Sequence, residues 1–532
     1  MLLLPILLLI LHSASGIDIV VKSVERLNAS SPKACDDFYR HNCPVGSENL
    51  VRKYYIDEVR QKVKKQYEEE RNQYDFINDF KKYRNVWNSK GLYDESEDFP
   101  KYTVQSFLDY YQKRCSSGQN LDSLFKHFNT LLSYDDRVRS KVTLEIFKNC
   151  TGSSQLILKE LKEFSRHFKD LNSVNYDMLA EAHENLTPLM NYTQYALRTR
   201  RLELTGAKMI KSDSTILKGV EIVAKMIEDM KDIAIDWLDS TKWVLKNQAV
   251  DFLKSFTKKI KMVKNYDDVI EKSEKLLANI DETYKKCKKD IDSVDDVGNA
   301  ICLLGAFIIP RFKRLNIFEM PVPIILEDQA LNRGITSLEF SFTYFIAAVE
   351  IEEMAGKIGF LGATLGHEIG HTLQKQERIP FFSKIASKCV FKLFGDTCKE
   401  FKEESCVNHI KQEGETSSDI LGTQLSYQLF KKYYGNRTQD IYHKLNITNE
   451  QLFFHASVVG ICDANLSKQK YDRGVLDVHP SDNIRANVIG QIPTFETAFN
   501  CSADSRMAKL IEEECHIYGP DAPETRRLKL IK

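Results

Sequence analysis

From about residue 50 to about 300, apolar positions recur three and four apart among charged ones, and Pro and Gly are scarce. The stretch LKGVEIVAKMIEDMKDIAIDWLDSTKWVL shows this spacing, the mark of an amphipathic helix. The pattern predicts helix after helix. It breaks at residues 308–329, IIPRFKRLNIFEMPVPIILEDQ, where three prolines mark a lobe boundary. Next comes GITSLEFSFTYFIAAVEI, rich in β-branched and aromatic residues, which predicts a strand. Helical spacing resumes near Gly356 and runs through GHEIGHTLQ, Gly366 to Gln374. Downstream, EGETSSDILGTQLSYQLF predicts a further helix with Leu421, Leu425 and Leu429 on its apolar side. No internal repeat or low-complexity tract interrupts this order.

The first residues read differently. Leu2 to Leu11 form an apolar run too short to span a bilayer, followed by small residues at Ala14 to Gly16. Residues 1–16 are therefore expected to be a signal peptide, although Lys and Arg are missing from its start. No later stretch approaches 18 apolar residues; ICLLGAFIIP reads as core. The expectation is a soluble, secreted, extracellular protein with no transmembrane segment in the mature chain. A helical lobe would cover 17–316, its first residues stapled to a second lobe that covers 317–532.

Among 532 residues, Lys plus Arg and Asp plus Glu number 75 each, so the net charge is zero, unlike a nucleic-acid binder. The 12 cysteines, an even number, fit a compartment where disulfides persist. Glycosylation sequons fit it too, at Asn28, Asn185, Asn191, Asn436, Asn446 and Asn465. Asn149 and Asn500 also begin sequons, but each has a cysteine in the middle.

The chemistry sits in GHEIGHTLQ. On a helix, His367 and His371 share one face a turn apart, with Glu368 beside them. Zinc accepts imidazole nitrogen readily, and a catalytic site uses three protein ligands plus a water. A glutamate there can take that water's proton and pass it to a leaving amine. A solvated surface helix is the bland alternative. Glu415 and Asp419 lie four apart on a mostly apolar helix, where buried carboxylates need a partner or a metal. Ligation by Glu415, with Asp419 fixing a ligand histidine's tautomer, supplies a reason; an exposed acidic patch is the alternative.

GHExxH followed by GExxxD resembles the neprilysin-like zinc metallopeptidases, the M13 family. ACDDFYRHNC, DVHPSDNIR, FETAFNC before Cys515, GFLGATLGHE and YKKC…GNA are similar to family segments in the same order. The resemblance implies a mainly α, two-lobed, gluzincin-type fold, with a small sheet in the catalytic lobe and a helical lobe shorter than typical. It implies one zinc ion per chain on His367, His371 and Glu415, with Glu368 as general base and Asp419 behind a ligand. His479 would stabilise an oxyanion, and Arg485 would bind substrate. It implies disulfides Cys35–Cys501, Cys43–Cys462, Cys115–Cys287 and Cys406–Cys515. Cys389 and Cys398 are then close enough in sequence to pair locally, and Cys150 and Cys302 either pair or stay free.

Departures accompany the resemblance. Only Ala330 of LEDQALNRG matches the family's backbone-binding Asn-Ala-Tyr-Tyr segment. TLQKQE stands where Gly-Phe-Asp-Asp follows the second histidine, leaving Gln374 near the site, and ECHIYG replaces the C-terminal tryptophan. The shortened lobe either admits longer peptides or forms a looser chamber. The expected function is that of a secreted zinc metalloendopeptidase cutting internal bonds of extracellular oligopeptides. The alternatives are a catalytically silent relative that sequesters peptides and a zinc-stabilised structural protein. Structural zinc sites are usually closed by four ligands, whereas this set leaves one position open.

Overall fold

The computed structural model describes residues 17–27, 32–44, 49–69, 73–76, 187–241, 246–262, 266–290, 298–300, 302–303, 306, 330–333, 336–374, 382–401, 413–462, 479–489, 492–510 and 515–522. The expected signal peptide, the proline-rich break at 308–329 and the sequons at Asn28, Asn149, Asn185 and Asn465 lie outside them. Among the described residues the fold is mainly helical, with two small sheets.

In chain order the helices are α1 (Ile19–Glu25), α2 (Phe38–Asn42), α3 (Asp57–Glu69), α4 (Thr187–Ser212), α5 (Ser214–Ser240), α6 (Lys246–Lys259), α7 (Tyr266–Asp290), α8 (Phe342–Glu350) and α9 (Met354–Lys357). They continue with α10 (Ala363–Leu373), α11 (Phe382–Phe401), α12 (Glu413–Tyr434), α13 (Asn449–Val459), α14 (Asp482–Ile489) and α15 (Pro493–Phe499). The strands are β1 (Lys261–Met262), β2 (Ala330–Arg333), β3 (Ser337–Phe340), β4 (Ile441–Tyr442) and β5 (Ile447–Thr448). β1 pairs parallel with β3, β3 pairs antiparallel with β2, and β4 and β5 form a separate hairpin. β2 is thus an edge strand of the three-stranded sheet.

Two compact units emerge. One comprises Met1–Gln61, Ile210–Lys264 and Ile324–Lys532; the other comprises Lys62–Met209 and Asn265–Pro323. This division differs from the expected lobes at 17–316 and 317–532, because residues 210–264 join the C-terminal segment. The reason lies in α5. Its apolar stripe buries Val220, Val223, Ile227, Met230 and Ala234, and it packs against α8 and α12. A Cβ at Gly219 would come within 2.0 Å of the Phe345 carbonyl oxygen, so the absent side chain permits the crossing with α8.

The expected strand in GITSLEFSFTYFIAAVEI is only four residues long, β3; the following FTYFIAAVE is helix α8. Seven of its nine residues, Phe342 to Ala348, are buried. Burial on every side of a short helix removes the polar face that periodicity needs.

The N-terminal segment is held in the first unit by the expected disulfides Cys35–Cys501 and Cys43–Cys462. Asn487 reinforces this, accepting from the Tyr39 backbone N–H at 3.1 Å and donating to Asp37 at 3.3 Å. Phe38 enters a cluster with Phe495 and Phe499, and buried His455 meets Asn42 Oδ1 at 2.6 Å.

The remaining pairings differ from expectation. Cys287 bonds Cys302 rather than Cys115, and Cys515 bonds Cys389 rather than Cys406. Cys389 is therefore not joined to Cys398, which is disulfide-bonded elsewhere. Cys287 and Cys302 stand 15 residues apart in sequence, Cys287 near the end of α7, and Cys389 lies on α11. Cys115, Cys150 and Cys406 lie outside the described residues.

Candidate metal centre

Two helices build the site because small residues let them touch. α10 carries Gly366 and Gly370 on the face it turns to α12, which answers with Gly422 and Ser418. A Cβ at Gly366 would lie 2.6 Å from the Gly422 carbonyl oxygen, and one at Gly370 would lie 3.0 Å from Ser418 Cα. Backbone contact between the helices sets His367 and His371 of α10 beside Glu415 and Asp419 of α12.

The expected site residues converge. The Nε2 atoms of His367 and His371 are 3.1 Å apart, with the ring planes at 90°. Glu415 Oε2 lies 3.1 Å from His367 Nε2, 3.5 Å from His371 Nε2 and 3.1 Å from His479 Nε2. His367, Glu415 and His479 each offer a ligand atom within 4.8 Å of the others. Three imidazole nitrogens thus surround a buried carboxylate oxygen that receives no hydrogen bond of acceptable direction. Such an orphaned acceptor is costly. A cation among these donors removes the cost, and an N,N,O set is one that zinc accepts.

Electrostatics point the same way. Burial works against a charged His367, but its close polar contacts with Asp419 and Glu415 and the fields of Asp419 and Glu368 outweigh it and push the imidazole up to about 10. His371 is pushed down to about 4 by burial and by His367. Burial would raise Glu415, yet the surrounding histidines hold it well below the usual carboxylate range. Glu415 and Asp419 are thus both held ionised within the cluster. Burial raises Glu368, 5% exposed, above an ordinary glutamate. A more basic carboxylate beside the donors suits proton transfer.

Asp419 supports the other face of His367, its Oδ1 lying 2.8 Å from Nδ1. That contact places the hydrogen on Nδ1 and leaves Nε2 free to ligate. Arg485, from α14, donates to the same carboxylate through Nε at 2.9 Å and through a second guanidinium nitrogen at 2.6 Å. Its fork is therefore committed to Asp419, a role its sequence position did not disclose.

Two more groups escaped the sequence reading. Asn332 on β2 donates to the Glu368 carbonyl oxygen at 2.6 Å and to Thr372 Oγ1 at 3.0 Å, tying the edge strand to α10. Its signal was its place two residues after Ala330. Ser418 Oγ lies 3.1 Å from His371 Nδ1 and receives a hydrogen bond from Gln374. Asn436 and Asn446 are exposed, as a glycan would require, and Asn191 lies within α4. No helix among the described residues is long and apolar enough to cross a membrane.

Comparison with known proteins adds the following. Residues 381–517 match the model of peptidase family M13; Glu415, Asp419, His479 and Arg485 fall inside this span, and His367 and His371 precede it. The chain is 26% identical over 170 residues to neprilysin-1 of Caenorhabditis elegans, covering 28% of this chain and 22% of that protein. It is 27% identical over 168 residues to endothelin-converting enzyme-like 1 of Rattus norvegicus, covering 28% and 21%. The match spans about a fifth of the length of these curated relatives. Among solved structures, a zinc metalloprotease of Mycobacterium tuberculosis in an open state aligns over 67% of this chain and 55% of its own, with 14% identity and a TM-score of 0.39. A galactose-containing glycoprotein complex of Haemonchus aligns over 93% and 98%, with 14% identity and a TM-score of 0.49.

Proposed function

We propose, from the premise that this chain is related to the neprilysin-like M13 peptidases, that it is a zinc metalloendopeptidase cutting internal bonds of extracellular oligopeptides. The observation that carries this reading is the buried, unbonded Glu415 Oε2 with three imidazole nitrogens within 3.5 Å. His367, His371 and Glu415 would hold one ion per chain. Bound zinc supplies Lewis acidity and a water of lowered pKa.

The protein's own groups then divide the work. Glu368, buried and more basic than usual, takes the proton of the attacking water and returns it to the leaving amine. His479, whose side chain is 37% exposed, has Nε2 3.1 Å from Glu415 Oε2, beside the donor cluster. It donates to the oxyanion that develops on the scissile carbonyl. Arg485 locks Asp419, and Asp419 locks the His367 tautomer, so the arginine acts first through the metal site. Its remaining guanidinium hydrogens are those that would meet a substrate carbonyl.

Secretion agrees with disulfides that join residues 466 and 419 apart in sequence, since such bonds persist in oxidising compartments. A silent, peptide-sequestering relative would need no general base, yet Glu368 is buried beside the donors.

The test is hydrolysis of a quenched fluorescent peptide of about ten residues by the purified chain. Activity should vanish with a chelator and return with zinc. Glu368→Gln should keep zinc near one per chain while losing most turnover. Wild-type protein that holds zinc but cuts no peptide would defeat the endopeptidase reading.

A further inference from the structure

The two histidines of α10 are braced unequally. His367 is backed by the ionised pair Asp419 and Arg485. Among the described residues no carboxylate is hydrogen-bonded to His371 Nδ1, which lies 3.1 Å from the hydroxyl of Ser418. Ser418 is fully buried, and Gln374, 4% exposed at the end of α10, donates its amide hydrogen to the same oxygen. The contact exists because Gly370 lacks a side chain: a Cβ there would stand 3.3 Å from Ser418 Oγ.

The direction of these bonds follows from what lies on the other side of the ring. His371 Nε2 faces Glu415 Oε2 and His367 Nε2. To ligate there it must present a lone pair, so its hydrogen must sit on Nδ1. A hydroxyl oxygen has two lone pairs. One takes the Gln374 hydrogen, and the other takes the hydrogen of His371 Nδ1.

We propose that Ser418 and Gln374 are positioning residues for the metal, a neutral relay that fixes His371 in its ligating tautomer opposite the charged brace on His367. This rests on the reading of His367, His371 and Glu415 as zinc ligands. It makes His371 the weaker arm of the site, because a neutral acceptor favours the ligating imidazole less than an ionised one does. It also specifies a gain. In Gln374→Glu the carboxylate accepts the Ser418 hydroxyl hydrogen, and the relay ends on a charge that bound zinc offsets.

The experiment is a competition titration of the full-length protein against a fluorescent zinc chelator, with melting of the metal-free protein measured alongside. Ser418→Ala should weaken zinc about 10- to 100-fold, with the metal-free midpoint little changed. Gln374→Glu should tighten zinc by about tenfold, a direction that damage to packing does not produce. Cobalt-substituted Ser418→Ala should show an altered visible absorption band, since His371 is no longer held. Wild-type zinc affinity in Ser418→Ala overturns the relay. Should that variant fail to fold, Gln374→Glu decides: tightening supports the relay, and unchanged or weaker binding overturns it. Wild-type protein that binds no zinc overturns the metal reading itself, which separates the two failures.

Discussion

Replacing Gly366 by alanine tests whether backbone contact between α10 and α12 sets the metal geometry. The new Cβ would stand 2.6 Å from the Gly422 carbonyl oxygen, 2.8 Å from its Cα and 3.1 Å from its carbonyl carbon. All three are backbone atoms, so no side chain can swing aside. Restoring ordinary contact requires the helices to part by about 0.8 Å. Metal ligands tolerate about 0.2 Å. His367 is the next residue on α10, while Glu415 sits on α12, so the opening falls directly between two donors. Alanine favours helix over glycine by about 1 kcal/mol, and overpacking costs about 1 to 3 kcal/mol. The packing cost should win, since it is met by main chain on both sides. We expect zinc affinity to drop by more than about tenfold and the melting midpoint to fall. Gly395 in α11 is the control, because a Cβ there meets nothing within 4 Å. Gly395→Ala should be neutral or stabilise by up to about 1 kcal/mol. Both quantities come from calorimetry and chelator competition on the two variants. If Gly366→Ala keeps wild-type zinc affinity and melting, the helix contact does not set the site.

Glu415→Ala should weaken zinc far more than Asp419→Ala, whose loss should be about 10- to 100-fold; equal affinities on competition titration would place the third ligand elsewhere. His479→Phe should lower kcat with zinc content unchanged, as a group acting on developing charge must; loss of zinc on elemental analysis would instead make it a fourth ligand. Arg485→Met should raise KM and also loosen zinc, because Asp419 is left buried with one cation fewer; unchanged kcat/KM and unchanged zinc would remove both roles. His455 sets an acid limit on stability. Burial and the neighbouring His41 push it down to about 3, so between that value and an ordinary histidine's 6.5 the unfolded chain binds the extra proton. Stability is therefore full above about pH 6.5 and falls with pH, by about 3 kcal/mol near pH 4.5 from this group. His455→Leu should flatten that limb in denaturant titrations, and an unaltered slope would clear the histidine.

The convergence of His367, His371 and Glu415 was legible in the sequence because their chemistry and their helical spacing coincide. His367 and His371 stand four apart on one helix, and Glu415 and Asp419 four apart on another, so each pair shares a face. What surrounds them was not legible. The Arg485 contact with Asp419 joins residues 66 apart through α14 and α12, and no local pattern records a meeting of that kind. Ser418 sits beside Asp419 and reads as an ordinary helix serine until Gly370 brings His371 against it. The helix at Phe342–Glu350 was hidden by its own burial, and β-branched and aromatic residues there pointed to a strand. Of the cysteine partners the family resemblance implied, Cys35–Cys501 and Cys43–Cys462 form, while Cys287 and Cys515 pair otherwise. The choice of Cys515 by Cys389 depends on where α11 lies, and that is a property of the fold.

The unit that carries the site is assembled from three stretches of chain, and its first is bonded to its third: Cys35 meets Cys501 across 466 residues. On a ribosome this imposes a wait. At about 5 to 20 residues per second, Cys35 is made roughly 25 to 90 seconds before its partner exists. Throughout that interval Phe38, Tyr39 and Cys43, all buried in the finished protein, have nothing native to bury against. Cys43 can meanwhile meet earlier cysteines such as Cys115 or Cys150. The cell that makes this protein must therefore keep its N-terminal thiols either reduced or reversibly paired until Cys501 has been made. Yield should then respond to disulfide-isomerase capacity more than to any change in the stability of the finished molecule.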